Sequence, residues 1–209
     1  MASTPVIQTP PIAASLPPQA VRFPGKVAVV KLSRGREICL AQSLTSLSPD
    51  HAWIARFSSR PSAVADGCAY RLAIRRHDAD RSFKVDDFGR WAAMSWAPAG
   101  HRFFLVDGMG SNITDCLVET PDRDGVVQLD LTSVIRHSEG PLRPSETPNR
   151  SHYYLECRRW IGQNQVEGTI SGRTDDKPFH AFCVRFRYDL AARSASWGPV
   201  RRAQDDISC

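Results

Sequence analysis

A turn, a short apolar run and a second turn occur twice in this chain, and the repeat limits the folds that it can adopt. The clearer copy runs from the turn around Pro98 through the apolar residues 103–106 to the glycine-rich turn at residues 107–112. A weaker copy covers residues 47–57, and its Pro49 lies 49 positions before Pro98. Short apolar runs bounded by turn residues are typical of buried β-strands. The spacing therefore predicts a repeated β-hairpin unit.

Alternating apolar and polar residues indicate further strands along the chain. The alternation is clear at residues 70–74, 127–131 and 182–188, and residues 152–160 and 166–171 flank a turn as a hairpin would. Almost no segment has a helical period, which favours an all-β domain. We predict antiparallel β-hairpin repeats that form a two-sheet sandwich or a partial, propeller-like domain.

Composition divides the chain into three parts. Residues 1–24 are rich in proline and read as a flexible tether, residues 25–190 hold a single β-rich domain, and residues 191–209 form a tail without pattern. No run of apolar residues is long enough for a transmembrane helix. Because such tethers often follow a removed signal or lipid anchor, we expect a periplasmic or envelope-associated protein, with a cytoplasmic protein as the alternative.

The repeat also resembles a known family. Trp96-Ala97-Pro98-Ala99-Gly100, an apolar strand and then Asp107-Gly108-Met109-Gly110-Ser111-Asn112 are similar to the repeat of TolB-type β-propellers. That repeat has a Trp-Ser-Pro-Asp-Gly turn, which Ser48-Pro49-Asp50 also matches, a buried strand and an Asp near a Gly-rich turn. The resemblance implies four-stranded blades. At about 40–45 residues a blade, the residues after the tether supply at most about four, the minimum for a closed propeller.

The net charge of +5 is spread along the sequence. The chain has 23 Arg and 4 Lys, with no run of five or six basic residues. Arg185 and Arg187 alternate with apolar residues, as on the solvated face of a strand. We therefore expect no nucleic-acid partner.

Six cysteines are present, and none forms a Cys-x-x-Cys pair, so zinc-ribbon and thioredoxin-type sites are not predicted. Cys116, Cys157 and Cys183 lie in predicted strands, where either disulfides or buried thiols would fit. We expect Cys209, in the tail, to matter little to the fold.

The motifs that usually mark catalysis are missing from the sequence. The six histidines show neither His-x-x-x-His nor His-Glu-x-x-His spacing, and no Gly-x-Ser-x-Gly elbow or phosphate loop occurs. We therefore assign no catalytic residue, no metal ligand and no cofactor. A calcium site in the turn between Asp107 and Asp115 stays an open alternative, because oxygen-rich turns suit that ion.

Two regions carry residue types that suit partner binding. One is the turn at residues 107–115, and the other is an aromatic and basic strand. The long, proline-containing segment 138–150 is a third candidate, since long loops often carry function. The predicted binding residues are Asp107, Ser111, Asn112, Asp115, Tyr153, Arg158 and Trp160.

These observations predict a non-enzymatic protein-binding module of a bacterial envelope. An immunity or inhibitor protein against a secreted toxin or a wall hydrolase would fit. One alternative is a hydrolase that uses Asp107, Asp115 and His101, which requires the three side chains to converge in a pocket. Another is a structural module of a larger assembly. The sequence leaves the oligomeric state open.

Overall fold

The computed structural model describes residues 21–23, 29–31, 37–39, 43–61, 68–88, 91–108, 113–138, 140–147, 151–175, 177–204 and 209. These residues form sixteen β-strands, one α-helix and one turn of 3-10 helix. The α-helix has seven residues, and no helix among the residues described is long and apolar enough to cross a membrane.

The strands in chain order are β1 (Val21–Phe23), β2 (Val29–Lys31), β3 (Glu37–Cys39), β4 (Ser43–Leu47), β5 (Trp53–Pro61), β6 (Cys68–Arg76), β7 (Ser82–Phe88), β8 (Trp91–Trp96), β9 (Phe103–Gly108), β10 (Ile113–Pro121), β11 (Val126–Asp130), β12 (Ser151–Ile161), β13 (Gln165–Thr174), β14 (Ala181–Asp189), β15 (Ser194–Trp197) and β16 (Arg201–Ala203). The α-helix α1 covers Leu131–His137, and the 3-10 turn covers Pro144–Glu146.

Most strands belong to three successive four-stranded meanders, β4–β7, β8–β11 and β12–β15. The first meander is a separate sheet, and the other two join into a ten-stranded sheet that also includes β1 and β16. Every pairing between described strands is antiparallel except the short parallel pairing of β10 with β12. The predicted all-β fold of antiparallel hairpin repeats is confirmed, in a sandwich-like arrangement. The described strands do not close into a propeller.

The repeated turn appears in the backbone hydrogen bonds of the first two meanders. The N–H of Ser48 donates to the Trp53 carbonyl, and the N–H of His51 donates back to the Ser48 carbonyl, both at 2.9 Å. Ala97 and Gly100 donate the same two bonds 49 positions later. His51 and Gly100 both have positive φ, 60° and 79°, a conformation that glycine adopts without strain. The two hairpins are therefore equivalent in conformation as well as in sequence.

The first turn of each meander lies at one end of the fold. Asp50 of the first turn approaches Gly100 of the second so closely that a Cβ there would collide with its carboxylate. The Ala99 N–H donates to Gln163 Oε1 of the third turn at 2.7 Å. We call this end the turn end; its turns are residues 48–52, 97–101 and 162–164.

Strand β9 is the centre of the core, because all six of its residues are buried. Phe103 and Leu105 face the first core, which the four-stranded sheet completes with Phe57, Leu72 and other side chains. Phe104 and Val106 point the opposite way, into a second core shared with β10, α1 and β12–β14. Since strand side chains alternate between faces, a strand buried on both sides must lie between two layers.

Contacts across the second core hold the third meander against the second. The Trp160 indole N–H of β12 donates to the Ser95 carbonyl at 2.9 Å, and its ring stacks on Phe104 at 5.9 Å between centroids. A disulfide joins Cys116 of β10 to Cys157 of β12. A crosslink across 41 residues of sequence typically stabilises a fold by about 3–4 kcal/mol.

Helix α1 is an element that the alternation of residues 127–131 does not predict. Asp130 caps its N-terminus by accepting the Ser133 N–H at 2.8 Å, and Leu131 and Ile135, four positions apart, are buried in the second core. The Thr132 hydroxyl accepts the Cys116 N–H at 2.8 Å, which fixes the helix against β10. An Asp before residues of helical spacing is the start signal that identifies such a helix.

Both ends of the chain differ from the predicted tether and tail. Residues 21–23 of the tether form β1, which pairs with β8, while residues 1–20 lie outside the described residues. In the tail, β15 and β16 both pair with β14. Cys209 forms a disulfide with the buried Cys183, so the expectation that it matters little is wrong. Strands of three or four residues are too short for alternation to reveal them.

We expect Phe103→Ala and Phe104→Ala to destabilise the protein to a similar degree, by about 3–5 kcal/mol each, because each empties a packed core site. Val127→Ala, at a position 61% exposed on β11, is the control and should change stability little. Urea unfolding measures all three. If Phe104→Ala behaved like Val127→Ala, the second core would not be packed as described.

Candidate functional site

The end of β9, the starts of β10 and β12 and the end of β13 lie opposite the turn end. Strand β9 runs toward this end, and Ile113, the first residue of β10, pairs with Tyr153 near the start of β12. Ser151 at the start of β12 pairs with Thr174 at the end of β13. We call this end the loop rim; the described residues there are 108, 113, 138, 140–147, 175 and 177–180. They include parts of two segments that the sequence singles out for binding, 107–115 and 138–150.

Two large apolar side chains are exposed at the loop rim. Ile113 is 37% exposed, and Phe179 is 46% exposed. Phe179 precedes His180, whose imidazole contacts the 138–150 segment through Glu146. Exposed apolar side chains beside polar loops are common at protein interfaces.

A cavity of about 430 Å³ opens beside these loops. It lies between the last turn of α1, the 138–150 segment and the inner surface of the third meander. Its apolar walls and its charged groups come from different elements. The apolar side chains are Ile135, Leu142, Ile170 and Trp197, and the polar ones include Arg136, His137, Glu146 and Tyr153. This size and this mixture of surfaces are typical of ligand-binding cavities.

A buried carboxylate fixes the 138–150 segment. Glu146 is fully buried and accepts four hydrogen bonds: two from Arg202 at 2.5 and 2.9 Å, one from His180 Nε2 at 2.9 Å and one from the Arg143 N–H at 2.9 Å. Burial alone would raise the pKa of Glu146, but the hydrogen bonds from Arg202, Arg143 and His180 outweigh it and hold the pKa below its usual value. The segment is thus attached to β14 and β16 through one charged group.

Arg136 connects the predicted binding residues Asp115 and Tyr153. Its guanidinium lies 3.4 Å from Asp115 Oδ1 and 5.6 Å from the centre of the Tyr153 ring, a cation–π distance. Burial raises the pKa of Asp115, although Arg136 opposes the rise, and burial likewise raises the pKa of Tyr153. At the loop rim the structure therefore brings together two residues that lie 38 positions apart in sequence.

Asp107 and Glu119 are buried carboxyl groups in the ten-stranded sheet. Asp107, 6% exposed, pairs in register with Asp115, and its Oδ1 has no hydrogen-bond partner among the described residues. Burial, with repulsion from Asp86 and Asp115, raises the pKa of Asp107 to about 7. Glu119, 1% exposed, accepts a hydrogen bond from Gln128, and burial raises its pKa to about 7 as well. Both groups hold a proton in the fold at pH values where an exposed acid would be ionised.

The other predicted binding residues do not join this group. Ser111 and Asn112 lie outside the described residues. Arg158 is exposed and pairs with Glu156 at 2.8 Å, and the half-buried Trp160 packs against the second core, both near the turn end of β12. A signal for core packing at Trp160 was its place in a strand that must bury one face.

The three residues of the hydrolase alternative do not converge. His101 is exposed in the turn before β9, whereas Asp107 lies near the other end of that strand and faces Asp115. Six residues of extended chain separate His101 from Asp107 by about 20 Å. An imidazole at that distance cannot exchange a proton with either carboxyl group.

Metal ligation has no support within the described part of the chain. No group of three His, Cys, Asp or Glu side chains there is placed to hold an ion. The calcium hypothesis involves the turn between Asp107 and Asp115, of which residues 109–112 are not described, and it stays a hypothesis.

Sequence reasoning missed the cationic and buried charged residues of the loop rim. Arg136, Glu146, His180 and Arg202 come from four separate elements, and only folding brings them together. One weak signal was available. Arg136 and His137 end a helix, where cations are favoured by the helix dipole.

Comparisons with known proteins find little. No protein-family model matches the chain, and no curated protein matches it. Two solved structures of the AtxE2 isopeptidase are similar at 14% sequence identity and a TM-score of 0.45. One has Astexin3-dC4 bound and is matched over 76% of this chain, and the other is the apo form, matched over 87%. The chain spans about a third of their length, 30% and 31% respectively.

We expect Glu146→Gln to destabilise the protein by about 3 kcal/mol or more at pH 7, because it removes the buried carboxylate with which Arg202 and His180 pair. Since the pKa of Glu146 is held below its usual value, the wild-type advantage should shrink as the pH falls through that lowered pKa. Urea unfolding at pH 7 and pH 3 measures both effects. Glu156→Gln, in the surface pair with Arg158, is the matched control and should cost less than about 1 kcal/mol. Equal costs for the two variants would contradict the assigned role.

We expect Asp107→Asn to gain stability relative to wild type as the pH rises. The folded wild type keeps its proton up to about pH 7, while the unfolded chain releases it from about pH 4, so wild-type stability declines between these values. The relative gain should reach several kcal/mol above pH 7, at about 1.4 kcal/mol for each pKa unit. Urea unfolding from pH 4 to pH 8 tests this. Asp87→Asn should show no such gain, because the pKa of Asp87 is lowered to about 2 by Arg71 and Lys84. A pH-independent difference for Asp107→Asn would contradict the burial of an unpaired carboxyl group.

Proposed function

We propose that this chain is a non-enzymatic protein-binding module and that the loop rim holds its partner. The observation that carries the proposal is that the described parts of the 107–115 turn and of the 138–150 segment lie at one end of the fold. Ile113 and Phe179 are exposed there, and Tyr153, which pairs with Ile113, lines a cavity. The rim combines apolar side chains, loops and charged groups, as protein interfaces do.

The rigid attachment of the 138–150 segment supports this proposal. Glu146 connects that segment to Arg202 and His180, so the rim is held in shape before a partner arrives. A surface that is already ordered loses less entropy on binding. The failure of His101, Asp107 and Asp115 to converge favours a binding module over the hydrolase with that set of residues.

An envelope location is part of the proposal. The Cys116–Cys157 and Cys183–Cys209 disulfides support it, because disulfides persist in oxidising compartments and are rare in the cytosol. An inhibitor or immunity protein against a secreted toxin or wall hydrolase would work in such a compartment. We also propose that the three meanders are blade-like units of a partial propeller, for which the two equivalent turns are the support.

The test is affinity capture from bacterial envelope extracts with the wild-type chain and a rim variant. The rim variant carries Ile113→Ser and Phe179→Ser, and the control carries Val127→Ser, at an exposed apolar residue beside the other end of β10. We expect a protein that wild type and control capture and that the rim variant captures at least about tenfold less, since interface anchors contribute more than about 1 kcal/mol. Mass spectrometry quantifies the captured proteins.

If the rim variant captured the partner as well as wild type does, the interface would lie outside the loop rim and the proposal would be wrong. A specific partner lost with Val127→Ser rather than with the rim variant would overturn the assignment of the loop rim.

A further inference from the structure

We infer that the cavity at the loop rim binds an acidic side chain of a partner peptide together with an apolar neighbour. This inference rests on the proposed function and specifies the partner's chemistry. Its basis is the hydrogen-bonding capacity and the polarity of the described groups that line the cavity.

The described lining of the cavity holds hydrogen-bond donors that its internal ion pairs leave unused. Glu146, the carboxylate among the described lining residues, already accepts four hydrogen bonds, two of them from Arg202. Arg136 has a single polar contact among the described residues, the 3.4 Å approach to Asp115. A guanidinium carries five N–H donors. Most of the donors of Arg136 are therefore available to an anion.

His137 adds an imidazole to the same wall. Its Nδ1 lies 2.7 Å from the Ser133 carbonyl and must donate to it, because a carbonyl only accepts. Nε2 is then the nitrogen left for a ligand, and both Arg136 and His137 line the cavity.

The rest of the lining selects an organic acid over an inorganic anion. Ile135, Leu142, Ile170 and Trp197 form apolar walls, which an ion such as phosphate would leave in contact with water. At about 430 Å³ the cavity lies within the 300–1,000 Å³ range of small-ligand sites. An acidic residue beside an apolar one matches both surfaces at once. Ile113 pairs in register with Tyr153 of the cavity wall, and Phe179 precedes His180, which contacts Glu146. These two exposed side chains give the rest of a partner chain an apolar surface on which to lie.

Two blocked tripeptides test the inference with the full chain: acetyl-Leu-Glu-Phe-amide and acetyl-Leu-Gln-Phe-amide. They differ in charge and hardly in shape. We expect the acidic peptide to bind at least about tenfold more tightly, since a hydrogen bond to a charged group contributes about 1.5–3 kcal/mol. In amide NMR spectra the shifts should concentrate at residues 135–147, at Tyr153 and at the Trp197 indole. Inorganic phosphate should leave the Trp197 signal unchanged.

Variants of Arg136 separate charge recognition from folding. Arg136→Met should remove the preference for the acidic peptide, and Arg136→Lys should keep most of it. Arg187→Met, on the outer face of β14, is the matched control and should bind as wild type does. Equal binding of the two peptides, no binding at millimolar peptide, a preference that persists in Arg136→Met, or a phosphate response equal to that of the acidic peptide would each overturn the inference.

The peptide result and the capture result are separable. A partner that depends on the loop rim, with no peptide binding, would leave the proposed function standing and reject the acidic-peptide assignment. Selective peptide binding without a captured partner would support the cavity assignment and count against the proposed function.

Discussion

The burial of β9 on both faces is the constraint on which the rest of this structure depends. Phe103 and Leu105 need the four-stranded sheet to exclude water from one side, and Phe104 and Val106 need the third meander to do so on the other. A strand with six buried residues cannot lie at the surface of a two-layer protein. The Trp160–Ser95 hydrogen bond and the Cys116–Cys157 disulfide hold the second layer in place. The loop rim then follows, because this folding brings the start of β12 beside the start of β10.

The fold could be predicted from the sequence to the extent that it is local. The alternation of residues in β14 and the paired turns at Pro49 and Pro98 reflect contacts within one hairpin, and these predictions are confirmed. Helix α1 cannot be predicted from periodicity, because seven residues are too few to show a helical repeat. Its N-cap, Asp130, is the one sequence signal of the helix. Strands β15 and β16 were missed because they are short and depend on pairing with β14.

The candidate site was harder to predict because its charges meet only after folding. Nothing near Glu146 in the sequence indicates that Arg202, 56 positions later, will neutralise it. The contrast with Asp107 shows how much neighbours decide. Glu146 is completely buried and its pKa is lowered, whereas Oδ1 of the buried Asp107 has no hydrogen-bond partner among the described residues and the pKa of Asp107 is raised to about 7. Residue type and local sequence pattern do not predict which of these two pKa values is lowered. The number of hydrogen-bond donors around each carboxyl group in the fold determines it.

The Cys183–Cys209 disulfide has a consequence for how this protein breaks. Residue 209 is attached covalently to the outer face of β14, 26 positions back along the chain. A protease that cuts the backbone near the exposed Arg193 therefore releases no fragment, since the two pieces stay joined through sulfur. In an oxidising compartment the two fragments would stay covalently joined, and gel electrophoresis would separate them only after reduction of the disulfide. The disulfide thus closes residues 183–209 into a covalent loop, and a single cut within that loop leaves the protein in one piece.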